Sequence, residues 1–596
     1  TPQTSDTAPT AGVDDGMVPA CDSPGVRACL LPWPDNRLTV ADTSSATGRR
    51  LAIPADATPV NVDGVAIDVT DQNRADGFSP NSAVVFIADD VDLAASGVPD
   101  ANNIERSLDD ATPIDIVDNE SGEKVAFWGE VDPPSGLVTL RPAESYVEGH
   151  TYTVTIGALV DTAGSPIDLD VDEWEFTVAS SASLSGRLLH EKQVAYEQLG
   201  GGVPVFTVDT VTEGDSRVVD GTLVIPNFLD NDGSPGGSLL FDDAGMPMVN
   251  PDIPTYSAAY RCVVPNAVSS PVKTVLYGHG LMGDRGQVDF FGSFAAQGMI
   301  AGCAVDWLGM SSSDLANEFE ILSDMSRFNE QADRMLQGHI AFLMLGRLVN
   351  DPRGFASDPA FQDSTGASVL AEDGAVFVGN SQGGILGGAT SAVSDEWTQV
   401  VLGVPGMNYS LLLPRSSDWP EFQAVFNKAY TDDADRLMAL MLVQLLWDRG
   451  ENGGYARHLT SDTYDGVKQA KNVLLIGAYG DHQVANVSTA TLARTIGALV
   501  HTPVMSEGRI PDGDPFWGID ALDEWSGAGS VLEMWDYGTP SPPTGPTAPF
   551  EPDYGKDPHG AGSDEPMVLT QALTFLITNA LLPVCGDGAC VGTPAQ

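Results

Sequence analysis

Gly379-Asn380-Ser381-Gln382-Gly383 carries the strongest chemical signal in the sequence. A serine with glycine two places away on each side suits a sharp turn from a strand into a helix. Such a turn strains the serine backbone and leaves no room for side chains at the flanks, which glycine tolerates. It leaves the hydroxyl exposed as a nucleophile. The pattern alone is weak: with 63 glycines in 596 residues, on the order of half a match is expected by chance. Its context adds weight. The apolar run Ala375–Val378 precedes it and the small-residue run Gly384–Ala389 follows it, as strand and helix should.

A serine nucleophile needs a base, and it needs donors for the negative charge formed on attack. The apolar run Thr274–Tyr277 leads into Gly278-His279-Gly280-Leu281-Met282-Gly283. A glycine-lined turn there brings backbone N–H groups close to a reacting carbonyl. Leu281 is the expected donor, with Met282 as runner-up, and Gln382 is the second donor. His279 reads as a residue that orients the loop. For the base, the chain order nucleophile, acid, histidine leaves His458, His482, His501 and His559. His559, in Asp557-Pro558-His559-Gly560, follows the last expected strand and precedes a terminal helix, so a loop can deliver it to the sheet edge. His458 falls in an insertion, His482 adjoins the acid, and His501 is read as the end of a helix. The acid should follow a late strand. Asp481 follows Val473–Ile476 closely and is preferred to Asp557 and Asp306. Its task is to fix the tautomer of His559 and to stabilise the imidazolium.

These residues must sit on a sheet. From Thr274 onward, short apolar runs (Ile300–Asp306, Ala375–Val378, Val400–Val404, Val473–Ile476, Val531–Trp535) alternate with helical patterns (Phe319–Val349, Glu565–Leu582). That reads as a mostly parallel sheet flanked by helices, an α/β-hydrolase domain over 185–596. Between about 405 and 470 the alternation breaks into two helical patterns, Trp419–Tyr430 and Ala434–Trp447. The second is apolar almost all round. It is read as part of a helical cap whose Met441 and Leu445, with Met282, meet an acyl chain. A helix simply packed on both sides is the competing reading. Residues 50–184 carry short strands between turn signals, Ala83–Ala88, Val125–Trp128, Leu137–Leu140, Thr151–Ile156 and Glu173–Val178. They read as an all-β, Ig-like sandwich. Residues 1–49 read as a flexible leader and N-terminal extension.

Taken together, these features resemble the bacterial extracellular lipases and esterases that carry an N-terminal Ig-like, virulence-factor-lipase region. Leu31-Pro32-Trp33-Pro34, Thr47-Gly48-Arg49-Arg50 and Asp76-Gly77-Phe78-Ser79-Pro80 are similar to that family's N-terminal signature, and Leu140–Ile167 resembles the end of bacterial Ig-like domains. The resemblance implies carboxyl-ester hydrolysis without cofactor, with the Ser, Asp and His roles falling on Ser381, Asp481 and His559.

Composition narrows the partners. With 28 Lys+Arg against 83 Asp+Glu the net charge is −55, which repels phosphate backbones, so nucleic acid is excluded. No metal site is expected: no Cys/His cluster has zinc spacing, and a loop from Asp230 would place Phe241 where calcium needs a glutamate. No apolar run is long enough to span a membrane. Six cysteines allow fifteen pairings; local spacing suggests Cys21–Cys29 and Cys585–Cys590, leaving Cys262–Cys303. An even count, an acidic surface and no initiator Met fit a secreted or cell-surface protein. The expected substrate is a small-molecule or polymeric ester with an apolar acyl part. A serine peptidase or amidase on the same fold, and a non-catalytic surface-binding protein, are the alternatives.

Overall fold

The computed structural model describes residues 25–510, 513–522 and 529–595. The early part of the leader, and with it the Cys21–Cys29 pair, lies outside the described residues. The N-terminal extension is folded from residue 25: Trp33 is fully buried, and its indole N–H donates to Ser82 Oγ at 2.9 Å. Trp33 packs edge-on to Phe78 with ring centroids 5.0 Å apart.

Between Val84 and Thr177 lie two three-stranded antiparallel sheets. One orders Glu173–Thr177, Thr151–Ile156 and Ile114–Asp118; the other orders Val84–Phe86, Val138–Pro142 and Phe127–Val131. The alternation Ile114, Ile116 and Tyr152, Val154 puts one face of the first sheet inside, and Phe86 meets Trp174 between the two sheets. This β region shares one hydrophobic core with the rest of the chain.

A large sheet of eleven strands follows the Ser181–Leu199 helix. Its antiparallel edge is Phe206–Thr212, Arg217–Pro226 and Thr255–Val264, a pairing that the short runs in the sequence do not foretell. Cys262 and Cys303 face each other in register across the next pairing and form a disulfide, as do Cys585 and Cys590. From Ala301–Val305 onward the sheet is parallel, in the order Ala301–Val305, Val272–Gly278, Leu370–Asn380, Gln399–Gly403, Asn472–Ala478, Val531–Asp536. The helices Phe328–Asn350, Gln382–Val393 and Pro566–Thr578 pack on it.

The strand order reverses at Val272–Gly278. The chain leaves that strand for Ala301–Val305 on one side, then returns to Leu370–Asn380 on the other. At such a reversal the loops beyond the carboxyl ends of the two central strands diverge and open a crevice, the usual ligand site of open α/β sheets. The two strands that flank the crevice end in Gly278 and in Gly379-Asn380-Ser381, with Gly278 and Gly379 paired. Among the described residues, no helix is long and apolar enough to cross a membrane.

Candidate active site

Ser381 stands between the strand Leu370–Asn380 and the helix Gln382–Val393 with φ 58° and ψ −123°. A side chain in this region is costly and persists only where the surroundings impose it. The imposing contacts are visible. A Cβ on Gly379 would lie 2.0 Å from the Gly383 carbonyl oxygen, and one on Gly383 would lie 2.1 Å from that of Gly278. Both glycines are therefore required by backbone packed against backbone. The Ser381 N–H donates to the Gly403 carbonyl at 2.9 Å, tying the turn to the next strand.

The Gly278–Gly283 loop is held from three sides. His279 is fully buried; its Nε2 accepts from the Trp307 N–H at 2.9 Å and its Nδ1–H donates to the Gly280 carbonyl at 3.0 Å. Burial lowers its pKa and keeps the ring neutral, as both bonds require. The Gly280 N–H donates to Gln287 Oε1 at 3.0 Å, and the Met282 N–H donates to Gln382 Oε1 at 3.2 Å. Gln382 in turn donates from Nε2 to the Met310 carbonyl at 2.8 Å. The N–H between the two engaged ones, that of Leu281, has no acceptor among the described residues, and neither has that of Gln382.

On the far side of the crevice, His559 donates from Nδ1 to both oxygens of Asp481, at 2.9 and 2.8 Å. Asp481 follows the strand Asn472–Ala478 through Gly480, whose φ of 82° makes the bend. It is almost fully buried and accepts further N–H bonds from Gln483 and Val484 at 2.8 and 3.0 Å. Asp557 clamps the two loops together. Its carboxylate accepts from the His559 and His482 backbones at 3.0 and 3.2 Å and from Gln483 Nε2 at 2.9 Å. Burial on its own would lower the His559 pKa; the Asp481 carboxylate outweighs it, and the net direction is upward.

The rival histidines are engaged elsewhere. His458 bonds Glu148 at 3.0 Å, His482 bonds the Tyr554 carbonyl at 3.2 Å, and His501 bonds Glu533 at 3.1 Å. His501 does not end a helix; it follows the short strand Leu499–Val500. The loop at Asp230 closes on itself, with Asp230 accepting from the Ser238 N–H at 3.1 Å.

Two cavities meet at Ser381. One, of about 70 Å³, is walled by Leu281, Met282, Ile385, Leu412, Trp419 and Phe422 among others, with Gln382 and Gln483 at its sides. That is several times the roughly 10–15 Å³ one water needs. The second, of about 260 Å³, is lined by Tyr277, Phe290, Val401, Leu573 and His559. Ser381 is the one residue lining both. Ser381 and His559 face the second cavity with no hydrogen bond between their side chains.

The helix Asp433–Trp447 does wall the first cavity, but through Leu440, Val443 and Trp447. Met441 and Leu445, expected along an acyl path, belong to the core instead and do not line it. Beyond its first turn this helix is apolar almost all round, so its periodicity cannot say which face meets the crevice. The segment is also fastened to the β region. Asp71 is held between Arg187 and Arg449, Arg415 pairs with Glu130, and Asn408 Nδ2 donates to the Asn81 carbonyl at 2.9 Å.

No known family and no curated protein matches the sequence. The resemblance to extracellular lipases with an Ig-like region is thus supported by neither comparison. Solved structures with partial likeness are esterases and related hydrolases. Acetyl xylan esterase 1 from Thermoanaerobacterium sp. JW/SL YS485 is 13% identical, over 66% of this chain and 95% of that one, with a TM-score of 0.36. The acetyl xylan esterase from Paenibacillus sp. R4 is 10% identical, over 59% and 92%, with a TM-score of 0.30. An S-formylglutathione hydrolase from Agrobacterium tumefaciens is 12% identical, over 55% and 91%, with a TM-score of 0.26. Likeness at this level leaves the chemistry to be argued from the chain's own residues.

Proposed function

We propose that the chain is a serine carboxyl-ester hydrolase of the α/β-hydrolase class, acting through Ser381, His559 and Asp481. One observation carries the reading: a serine forced to positive φ at the sheet's reversal point opens onto the cavity that also receives a histidine already paired with a buried aspartate. His559 Nε2 takes the Ser381 proton, and Ser381 Oγ attacks the ester carbonyl. The Leu281 and Gln382 N–H groups receive the oxyanion; their lack of other acceptors supports that role. His559 returns the proton to the leaving alcohol, and a water repeats the cycle to release the acid. Asp481 keeps the proton on Nδ1 and stabilises the imidazolium. The mostly apolar wall of the first cavity suits an acyl group, and the second cavity, beside His559, suits the alcohol, small or polymeric. No cofactor enters these steps.

Two disulfides among the described residues favour an oxidising, extracellular setting. The two facing three-stranded sheets support reading the N-terminal region as an Ig-like sandwich.

The deciding experiment measures hydrolysis of an ester chain-length series by wild type and Ser381→Ala, with fluorophosphonate labelling of both. Ester turnover and labelling confined to wild type are expected. Equal turnover by the two proteins would end the hypothesis. Faster cleavage of matched amides than esters would replace it with the peptidase or amidase reading, and an unlabelled, inactive wild type with the binding-protein reading.

A further inference from the structure

The first cavity is apolar over most of its wall, yet three side chains that line it each carry a buried polar atom without a partner. Glu318, Gln331 and Tyr409 all line it, and they are 7%, 2% and 4% exposed. Glu318 Oε2, Gln331 Oε1 and the Tyr409 hydroxyl each lack a hydrogen bond in the protein. A buried polar atom left unpaired is destabilising, because it has given up water and gained no partner. Three at one cavity, from three separate chain segments, are more than packing needs.

Each is held in place by its apolar or amide parts. Tyr409 stacks on Trp447 with ring centroids 3.9 Å apart. Gln331 directs Nε2 at the Met310 sulfur, and the Met310 carbonyl accepts from Gln382, the neighbour of Ser381. That leaves Gln331 Oε1 as an acceptor aimed away from its own amide's contact. Glu318 sits in the first turn of the Leu315–Ser323 helix.

Resting on the ester-hydrolase reading, we propose that Glu318, Gln331 and Tyr409 form a hydrogen-bonding subsite inside the acyl cavity that selects acyl groups bearing a hydroxyl. The chemistry of the three groups favours a hydroxyl over other occupants. Burial, reinforced by the charge of Asp314, pushes the Glu318 carboxyl up to about 8, so at neutral pH it is an acid offering one donor and one acceptor. Burial, with Glu451 and Glu318 nearby, keeps the Tyr409 phenol protonated. A hydroxyl donates once and accepts, and so satisfies Gln331 Oε1 together with Tyr409 or Glu318. An anion would meet acidic neighbours, an unsubstituted alkyl chain would leave all three groups unpaired, and an ammonium would give up its hydration to walls of Leu, Met and Phe. In an aliphatic polyester only the terminal hydroxy-acyl unit keeps a free hydroxyl, so this subsite narrows the proposed substrate class to small hydroxy esters and hydroxyl-terminated chain ends.

The test pairs 4-nitrophenyl esters of ω-hydroxyalkanoic acids with those of unsubstituted acids across a length series. Wild type is expected to show a kcat/KM ratio of roughly 10-fold or more for the hydroxy ester at one chain length, from one to two hydrogen bonds. Tyr409→Phe and Glu318→Leu should reduce that ratio towards one, through a raised KM for the hydroxy ester. Replacing an unpaired buried polar group by an apolar one leaves the fold intact or firmer, which thermal melts check. Absence of any preference in wild type, equal losses on both esters, or a preference for the ω-amino ester would overturn the proposal. The second measurement is calorimetric binding of the free ω-hydroxy acid and the plain acid to Ser381→Ala, with and without Tyr409→Phe. It reports on the subsite without turnover: if Ser381 proves not to be the nucleophile, a hydroxyl preference lost in Tyr409→Phe still upholds the subsite, and equal binding sinks it.

Discussion

The side-chain oxygen Oε1 of Gln382 accepts the backbone N–H of Met282 at 3.2 Å, joining the residue after the candidate nucleophile to the loop across the crevice. The same amide donates to Met310, so one side chain sets the distance between the two walls. It also occupies the Met282 N–H, one of the two that flank Leu281; Gln287 holds the other, that of Gly280. Gln382→Leu keeps the shape but releases the loop. Its kcat is expected to fall roughly 10- to 100-fold, below the loss for deleting an oxyanion donor outright, with KM little changed. Steady-state kinetics check this; an unchanged kcat would show that the loop holds its position without the amide.

The histidine makes the pH profile informative. Only neutral His559 can take the Ser381 proton, so activity should fall on the acid side as the ring protonates. The Asp481 carboxylate raises the His559 pKa above the ordinary 6.5 against the opposing effect of burial. The acid limb of kcat/KM should therefore have its midpoint above pH 6.5. In Asp481→Asn the limb should move to lower pH, and kcat should drop by roughly 10⁴-fold as the wrong tautomer forms. A limb that stays in place would detach the aspartate from the ring.

Much of this candidate site can be named from the sequence, because the proposed chemistry follows steric and order rules. Gly379 and Gly383 stand where a Cβ would strike backbone, and a strand-loop pattern locates Asp481 and His559 by chain order. What escapes is anything set by which face of a helix turns inward. Met441 and Leu445 look the same in the sequence as Leu440 and Val443, yet only the latter pair walls the cavity. Glu318 and Tyr409 belong to no motif, and nothing in the sequence sets them apart. The fastening of the β region escapes for a different reason: Asp71 and Arg449 are hundreds of residues apart, and no local pattern links them.

Gly383→Ala tests the elbow. Its new Cβ would lie 2.1 Å from the Gly278 carbonyl oxygen, which cannot move without unpairing Gly278 from Gly379. Activity should be lost and fluorophosphonate labelling abolished, with a lowered melting temperature. A labelled, active variant would mean the two strand ends are not in contact.

Asp71 is the charge between Arg187 and Arg449, at the joint of the β region and the sheet domain. Burial opposes its ionisation, but the two guanidiniums hold its pKa well below the usual carboxylate range. Asp71→Asn leaves the two buried arginines to share Asp333, which lies 3.8 Å from Arg187, and should cost about 3–5 kcal/mol. Urea denaturation measures it. A loss under about 1 kcal/mol, the surface-pair range, would show the joint to be solvated.

Beside that joint, Asp448 and Glu451 shift the other way. Burial pushes Asp448 up to about 6, and burial together with the Asp448 charge pushes Glu451 up to about 7. In an unfolded chain they would ionise near 3.9 and 4.3. Their folded values are the higher ones, so the fold binds their protons more tightly. Their contribution to stability is complete below about pH 4 and is lost as pH rises through 6 to 7. The urea midpoint should therefore fall between about pH 4 and 7 and level off above that. Self-repulsion of a chain of net charge −55 acts in the same direction, so a variant must separate the two causes. Asp448→Asn is that variant. Only Oδ1 accepts from Asn81 and Gln444, at 3.3 and 2.9 Å, and the amide keeps that oxygen while removing the titration. The decline with pH should become shallower in Asp448→Asn, which removes one titrating group and the charge that raises Glu451. An identical slope in both proteins would assign the decline to the surface charge alone.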